Sequence, residues 1–144
     1  MPEPLVRDRV CGRAVLGFVD TVHDLLDRNL PLAPEIGPED KMPFELAVVE
    51  VVTNAVQHAS GGTSAVVELD FELQIHPDLL LARLYEIGAS PFDLPPAGEP
   101  MPGQGAESGR GLAMARQLLS TISCERSDRS NLWTLMRRPG SGAD

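Results

Sequence analysis

The stretch that decides the fold of this 144-residue chain is Glu50–His58, which reads E-V-V-T-N-A-V-Q-H. It lies inside a helical apolar pattern and places a carboxylate, a carboxamide and an imidazole at every fourth residue, at Glu50, Asn54 and His58. Because a helix turns by about 100° per residue, groups spaced in this way share one side of it. The stretch therefore predicts a helix with a separate polar column that needs a functional reason. The apolar residues fall on a different stripe: Val48, Val51, Val52, Ala55 and Ala59.

The composition of the chain is that of a single globular domain. Its hydrophobic content of 42% and charged content of 23% are ordinary for such a domain. The net charge of −9 argues against nucleic-acid binding, because phosphates would be repelled by such a surface. A nucleotide remains compatible, since it needs only a local positive site, and the acidic surface also suits a partner with a basic patch.

The cysteines, histidines and apolar runs exclude further classes of protein. Cys11 and Cys124 lie far apart without metal-like spacing, which indicates free thiols in a reducing cytosol. The three histidines form no ligand pair, so a zinc site is not expected. No apolar run approaches the roughly 18 residues of a membrane span, and no signal peptide precedes the first charges. We expect a cytoplasmic protein that binds neither membrane nor nucleic acid.

Periodicity along the rest of the chain predicts an α+β fold. Helical spacing covers residues 9–29 and residues 40–60. Antiparallel hairpins mixed with helices indicate a two-layer α/β sandwich, in which about three helices cover one face of a mixed, mostly antiparallel sheet. We expect the domain to span residues 9–138, with flexible termini at residues 1–8 and 139–144. The N-terminal segment could end in a short edge strand. Four apolar runs bounded by turn residues predict strands: 67–75, 79–87, 121–125 and 132–136.

A long segment over residues 88–109 holds five Pro and five Gly. A packed domain rarely contains about 20 residues without regular structure unless that segment has a function, commonly that of a lid over a binding site. Gly109, Arg110 and Gly111 then precede the next helical pattern, with Ser108 as a candidate N-cap. Backbone N–H groups at such a helix start bind anions, and glycine lets a phosphate approach closely. The alternative is that these glycines only mark the boundary of a helix and bind nothing.

Two pairs of residues carry candidate chemistry. Glu50 can accept a proton from an attacking hydroxyl, and Asn54 offers a neutral oxygen to a Mg²⁺ that also binds substrate phosphates. A solvated helix face is the common alternative for that pair. At the end of the second strand, Glu86 can accept a hydrogen bond from an exocyclic amine such as that of adenine, and Gly88 can let a flat ring approach the backbone. An ordinary strand-end acid before a turn is the alternative there.

The order of these motifs resembles that of the GHKL, or Bergerat-fold, ATPase superfamily. Within it, the chain is similar to the anti-sigma regulatory factors, the small serine/threonine protein kinases of bacterial partner switching. The stretch E-V-V-T-N-A-V-Q-H-A resembles their N-box, G-A-S-P-F-D-L their first glycine region, and S-G-R-G-L-A-M-A-R their second. The stretch N-L-W-T-L, which begins at Asn131, resembles their last strand. The resemblance spans residues 10 to 138.

The resemblance implies a kinase that uses ATP and Mg²⁺. Glu50 would be the general base and Asn54 the Mg²⁺ ligand. Glu86 would contact adenine, with Gly88 beside it. The implied partners are an anti-sigma-factor antagonist, which would be phosphorylated, a sigma factor, which would be sequestered, and a second copy of the chain in a homodimer. The remaining implied positions are a lid over residues 93–108 and the nucleotide-binding set Gly109, Arg110, Gly111 and Leu112.

Two departures from the family pattern keep alternatives open. The family normally has Asp where this chain has Glu86, whose extra methylene moves the carboxylate by about 1.5 Å. Ala89-Ser90-Pro91 also stands where a second glycine is expected. A second hypothesis is therefore a non-catalytic regulator that sequesters a protein partner with weak or no ATP binding. A third is a detached ATPase domain of a histidine-kinase system, although the chain holds no phosphoacceptor helix pair.

Overall fold

Five β-strands and three α-helices form the described part of the chain. The computed structural model describes residues 3–60, 66–95 and 106–140, without the side chains of Ser60 and residues 106–109. None of the described helices is long and apolar enough to cross a membrane. In chain order the elements are β1 Val6–Arg13, α1 Leu16–Asn29, a short 3₁₀ turn at Leu30–Leu32, α2 Pro38–Ser60, β2 Glu68–His76, β3 Leu79–Ile87, α3 Ala106–Leu118, β4 Thr121–Ser127 and β5 Ser130–Arg137.

The strands form one sheet in the order β1-β2-β3-β5-β4. All neighbouring strands in this sheet are antiparallel. The prediction of a mixed sheet is therefore wrong for the described strands, which contain no parallel pair. The register sets Glu86 on β3 directly opposite Asn131 on β5. Because side chains alternate between the two faces of a strand, Trp133 lies on the same face as Asn131. These three side chains therefore share one face of the sheet.

The helices and the sheet enclose a mainly aliphatic core. Burial alternates along β5, as expected for a strand with one covered face, and α2 packs against both α1 and α3. The largest fully buried side chains include Trp133, Phe44 and Phe71. Removing a large apolar side chain from water contributes roughly 1.5–3 kcal/mol to folding. The layered α+β sandwich that the sequence predicts is confirmed.

The N-terminal segment is a strand followed by a helix, so the helix predicted over residues 9–29 is wrong at its start. β1 pairs antiparallel with β2, and its burial alternates with a period of two. Apolar groups at Val10, Ala14 and Phe18 suit either structure, because four residues are also two strand repeats. The backbone partners come from a distant part of the chain, which local spacing does not reveal. Since β1 begins at Val6, the sheet also starts ahead of the predicted domain start.

The other predicted helices and hairpins are confirmed, with ends that differ by a few residues. α2 contains the helix predicted over residues 40–60, and the β2–β3 and β4–β5 hairpins match the four predicted strands. The solvent-facing side predicted for β2 is present only in its first part. Near its end Gln74 and His76 are buried, and a hydrogen bond of 3.0 Å joins their side chains.

Candidate functional site

A cavity of about 470 Å³ lies between α2 and α3. Two of its polar groups, the carboxylate of Glu50 and the carboxamide of Asn54, stand one turn apart on α2. The guanidinium of Arg110 and the backbone of Gly111 come from α3. Four residues singled out from the sequence therefore meet in one place, with a possible proton acceptor, a neutral oxygen and a cation together. The complete lining is Glu50, Thr53, Asn54, Gln57, Arg110, Gly111 and Met114.

Gly111 allows Glu50 to lie directly against the backbone of α3. A Cβ atom at Gly111 would be 2.6 Å from Oε2 of Glu50, well inside the 3.0 Å that real Cβ contacts respect. A glycine within a helix costs about 1 kcal/mol relative to alanine. The close approach of this carboxylate gives a reason for that cost. The glycine thus leaves room for the carboxylate of Glu50 at this position in the cavity.

The helix start expected in the second glycine region is corrected by α3. This helix begins at Ala106, so Gly109, Arg110 and Gly111 lie within its first two turns and do not precede it. Among the described residues, the N–H groups without an intrahelical acceptor are those of residues 106–108, so an anion site at this helix start would use that turn. The side chain of Leu112 is 1% exposed and packs in the core, so this side chain offers almost no surface to a bound molecule.

Glu86 lies at a second place, inside the protein. It is 1% exposed, and its Oε1 accepts hydrogen bonds from Nε1 of Trp133 at 2.5 Å and from Nδ2 of Asn131 at 3.4 Å. Its Oε2 lies 3.8 Å from Nδ1 of His58. Glu86 does not line the α2/α3 cavity. The structure therefore separates it from Glu50, although both stand in the same predicted site.

The partners of Glu86 show what sequence reasoning could and could not find. His58, the third member of the polar column predicted on α2, lies beside Oε2 of this carboxylate. Trp133 was not singled out, although the register offers a signal. The residue two positions beyond Asn131 is a diagonal neighbour of Glu86 on the same face of the sheet. Recognising it requires the β3–β5 pairing, which joins distant parts of the chain.

Gly88 is required by the turn after β3. Its φ is +88°, a left-handed conformation that residues with a side chain rarely adopt. A Cβ atom there would be 3.0 Å from the carbonyl oxygen of Val66, and its N–H donates to the carbonyl of Arg129 at 2.8 Å. These contacts account for the glycine without a ring packed on its backbone.

The segment that follows Gly88 is held against the protein by polar contacts; we call residues 89–95 the strap. Arg126 donates to the carbonyl of Ala89 at 2.7 Å, and Asn131 donates to that of Ser90 at 2.8 Å. The thiol of Cys124 lies 3.7 Å from the carbonyl of Phe92, and burial, reinforced by nearby carboxylates, raises the pKa of this thiol to about 12. A further tether joins Arg116 to the carbonyl of Pro95.

The lid predicted over residues 93–108 is therefore divided among three segments. Residues 93–95 belong to the strap, and residues 106–108 begin α3. The part between them lies outside the described residues.

Comparison with known proteins assigns the chain to a family. The model of the family described as histidine kinase-like ATPase domain matches residues 19–137. The chain belongs to this family. A crystal structure of the RsbU and RsbW domains of Rv1364c from Mycobacterium tuberculosis matches with a TM-score of 0.62, over 93% of this chain and 33% of that one. At 19% sequence identity this likeness concerns the fold alone.

The chain thus spans about a third of the length of that solved chain. No curated protein matches it at a significant level.

A histidine kinase-like ATPase domain implies nucleotide binding, and the α2/α3 cavity suits the phosphate end of a nucleotide. Oxygen atoms from Glu50 and Asn54 are of the kind that Mg²⁺ prefers, and the guanidinium of Arg110 is suited to phosphate. The missing side chain at Gly111 lets the carboxylate of Glu50 take the space that a Cβ atom would need. At the base end, by contrast, Glu86 is buried and already accepts two N–H groups. The chain's residues fit Mg²⁺ and phosphates better than they fit an adenine ring.

Proposed function

We propose that the protein is an ATP-dependent serine kinase that phosphorylates an anti-sigma-factor antagonist and sequesters a sigma factor. The observation that carries this proposal is the α2/α3 cavity, in which Glu50, Asn54, Arg110 and Gly111 come together. Membership of the histidine kinase-like ATPase family supports the use of ATP. The fold likeness to a structure that contains an RsbW domain supports partner switching as the context.

The residues of the cavity have distinct roles in this proposal. Glu50 accepts the proton of the attacking serine hydroxyl, and the absence of a side chain at Gly111 leaves room for that carboxylate. Asn54 binds the Mg²⁺ that accompanies the phosphates, and Arg110 balances their negative charge. Phosphoryl transfer asks of a protein mainly positioning and charge stabilisation, so this small set of groups is sufficient.

The proposed partners are two proteins and a second copy of the chain. The net charge of −9 suits a partner with a basic patch and disfavours nucleic acid. The antagonist would present its serine at the mouth of the α2/α3 cavity, near Glu50. The sigma factor would be held while the antagonist is phosphorylated, and we propose that both events take place in the cytoplasm.

A non-catalytic, sequestering regulator is the second candidate, and the burial of Glu86 favours it. Both oxygen atoms of this carboxylate face protein nitrogen atoms, so the adenine acceptor expected from the family is engaged within the fold. In this alternative the fold serves protein binding, while the pair formed by Glu50 and Asn54 has no nucleotide to act on.

Labelling with radioactive ATP tests the first candidate against the second. The protein, immobilised with partners captured from its native cell, is incubated with Mg²⁺ and ATP labelled at the γ-phosphate. Wild-type protein is expected to label a captured partner. Glu50→Gln is expected to abolish labelling while ATP still binds, and Glu35→Gln, in an exposed loop, is the matched control.

Two outcomes contradict the kinase proposal in different ways. Labelling by Glu50→Gln at the wild-type rate would show that Glu50 is not the base. Absence of both labelling and ATP binding at millimolar ATP would leave the sequestering regulator.

A further inference from the structure

The strap places an aromatic ring beside the buried carboxylate of Glu86. Phe92 lies 5.2 Å from Trp133, centroid to centroid, and 6.0 Å from the ring of His58, which it meets edge-on. Trp133 and His58 are also the residues whose nitrogen atoms face the two oxygen atoms of Glu86. Phe92 thus packs against partners of the carboxylate on both sides, at a position where Glu86 has almost no exposed surface.

The length of Glu86 lets its carboxylate turn inward. An aspartate would be shorter by one methylene, about 1.5 Å along the side chain. With that extra reach Oε1 approaches Nε1 of Trp133 to 2.5 Å. Hydrogen bonds to an ionised carboxylate are roughly twice as strong as those between neutral groups. The inward position is therefore stabilised by N–H groups that the carboxylate would lose in turning towards a base.

The position of Phe92 is set by the tethers of the strap. Polar contacts hold the strap on both sides of Phe92 and at the Phe92 carbonyl itself. One side chain links the strap to the carboxylate, because the amide of Asn131 donates both to Ser90 and to Glu86. Arg126 in turn donates to the side-chain oxygen of Asn131 at 3.1 Å. Moving the strap and freeing Glu86 are therefore coupled events.

We propose that Phe92 and Glu86 close the base subsite of the nucleotide site, and that a purine base enters only after Phe92 moves aside. The base subsite is the cluster of His58, Glu86, Phe92, Asn131 and Trp133. This inference rests on the nucleotide binding of the proposed function, and adds that the chain's own side chains compete with the base. Observed affinity falls with the open fraction, so an open population of about 10% raises the Kd tenfold.

The single tryptophan of the chain reports directly on this event. Entry of a base separates the indole of Trp133 from Phe92 and from the carboxylate of Glu86, so Mg·ATP is expected to change its fluorescence emission. The change should follow the same binding curve as calorimetry. Mg·tripolyphosphate, which has no base, is expected to bind in the α2/α3 cavity and leave the emission unchanged. Binding of ATP with unaltered emission would overturn the proposal.

Opening the strap by mutation gives an independent test. Phe92→Ala removes the ring that covers the subsite and is expected to lower the Kd for Mg·ATP by about tenfold, with an unchanged Kd for Mg·tripolyphosphate. Phe92→Leu, a milder change that preserves apolar packing, is expected to lower it less, and serves if the alanine variant does not fold. Leu94→Ala is the matched control, since Leu94 is a partly buried strap residue outside the base subsite.

The two probes separate failure of this inference from failure of the proposed function. If tripolyphosphate binds and neither Phe92 variant tightens ATP binding, the closed subsite is wrong and the phosphate site stands. An equal gain in Leu94→Ala would likewise refute a specific role for Phe92. If neither ATP nor tripolyphosphate binds to any variant, the nucleotide site itself is wrong and the inference falls with it.

Discussion

Replacing Gly111 by alanine is expected to displace a carboxylate without weakening the fold. The new Cβ atom would lie 2.6 Å from Oε2 of Glu50, where ordinary contact begins at 3.4 Å, so the oxygen must retreat by 0.8 Å. Oε2 is the far end of a flexible side chain, and rotation about its bonds provides this shift at low cost. Alanine also favours a helix interior over glycine by about 1 kcal/mol. We therefore expect the free energy of unfolding to be equal to that of the wild type or slightly higher.

The same displacement is expected to reduce catalysis strongly. A misplacement of about 1 Å at a reacting group can lower a rate by about 10²-fold. The assay is Mg²⁺-dependent consumption of ATP, measured together with thermal unfolding by circular dichroism. Gly17→Ala is the matched control, because this helical glycine has nothing within 4 Å of the added Cβ atom. Its rate should remain that of the wild type.

A double mutant tests whether the loss acts through the carboxylate. Because residues that contact each other are not additive, Glu50→Ala combined with Gly111→Ala should be no slower than Glu50→Ala alone. A Gly111→Ala variant with a rate within twofold of the wild type would refute the placement of Glu50 at the reacting group. A large drop in its melting temperature would instead locate the clash in the backbone.

The remaining predictions concern the turn, the base subsite and the thiols. In urea unfolding, Gly88→Ala should lower the free energy of unfolding by about 1–2 kcal/mol because of its left-handed backbone alone. The clash of the new Cβ atom with the carbonyl of Val66 should lower it further. Gly140→Ala, which is also left-handed but has nothing near the added Cβ atom, should lose less stability. Trp133→Phe should lose about 1.5–3 kcal/mol in the same assay, because a buried carboxylate loses an N–H donor. At pH 8 Cys11 should react with a thiol reagent well before Cys124, whose raised pKa keeps it protonated; equal rates by mass spectrometry would contradict its burial.

Local periodicity was sufficient to predict α2 and the two hairpins. Glu50 and Asn54 share one side of a helix by spacing alone, and the structure places both in one cavity. Their neighbours Arg110 and Gly111 were singled out separately, as part of an anion site at a helix start, and only the resemblance placed them in one site with α2. The close packing of Glu50 on Gly111 depends on how two helices approach each other, which spacing along either helix does not contain.

The features missed from the sequence depend on contacts between distant segments. β1 has an apolar spacing that suits both a strand and a helix, and only its pairing with β2 decides between them. The carboxylate of Glu86 was expected to face a ligand, but the β3–β5 register brings it to Trp133. α3 begins earlier than its glycines suggested, because a glycine lowers helix stability by only about 1 kcal/mol and does not end a packed helix.

The central claim is that the α2/α3 cavity binds the phosphates of Mg·ATP, and calorimetric titration of Mg·ATP tests it most directly. We expect binding that disappears when EDTA removes Mg²⁺, and that weakens by about tenfold or more in Asn54→Ala, since one interaction with a charged group contributes about 1.5–3 kcal/mol. Binding that is indifferent to both EDTA and Asn54→Ala, or no heat from either Mg·ATP or Mg·tripolyphosphate at millimolar concentration, would contradict the account.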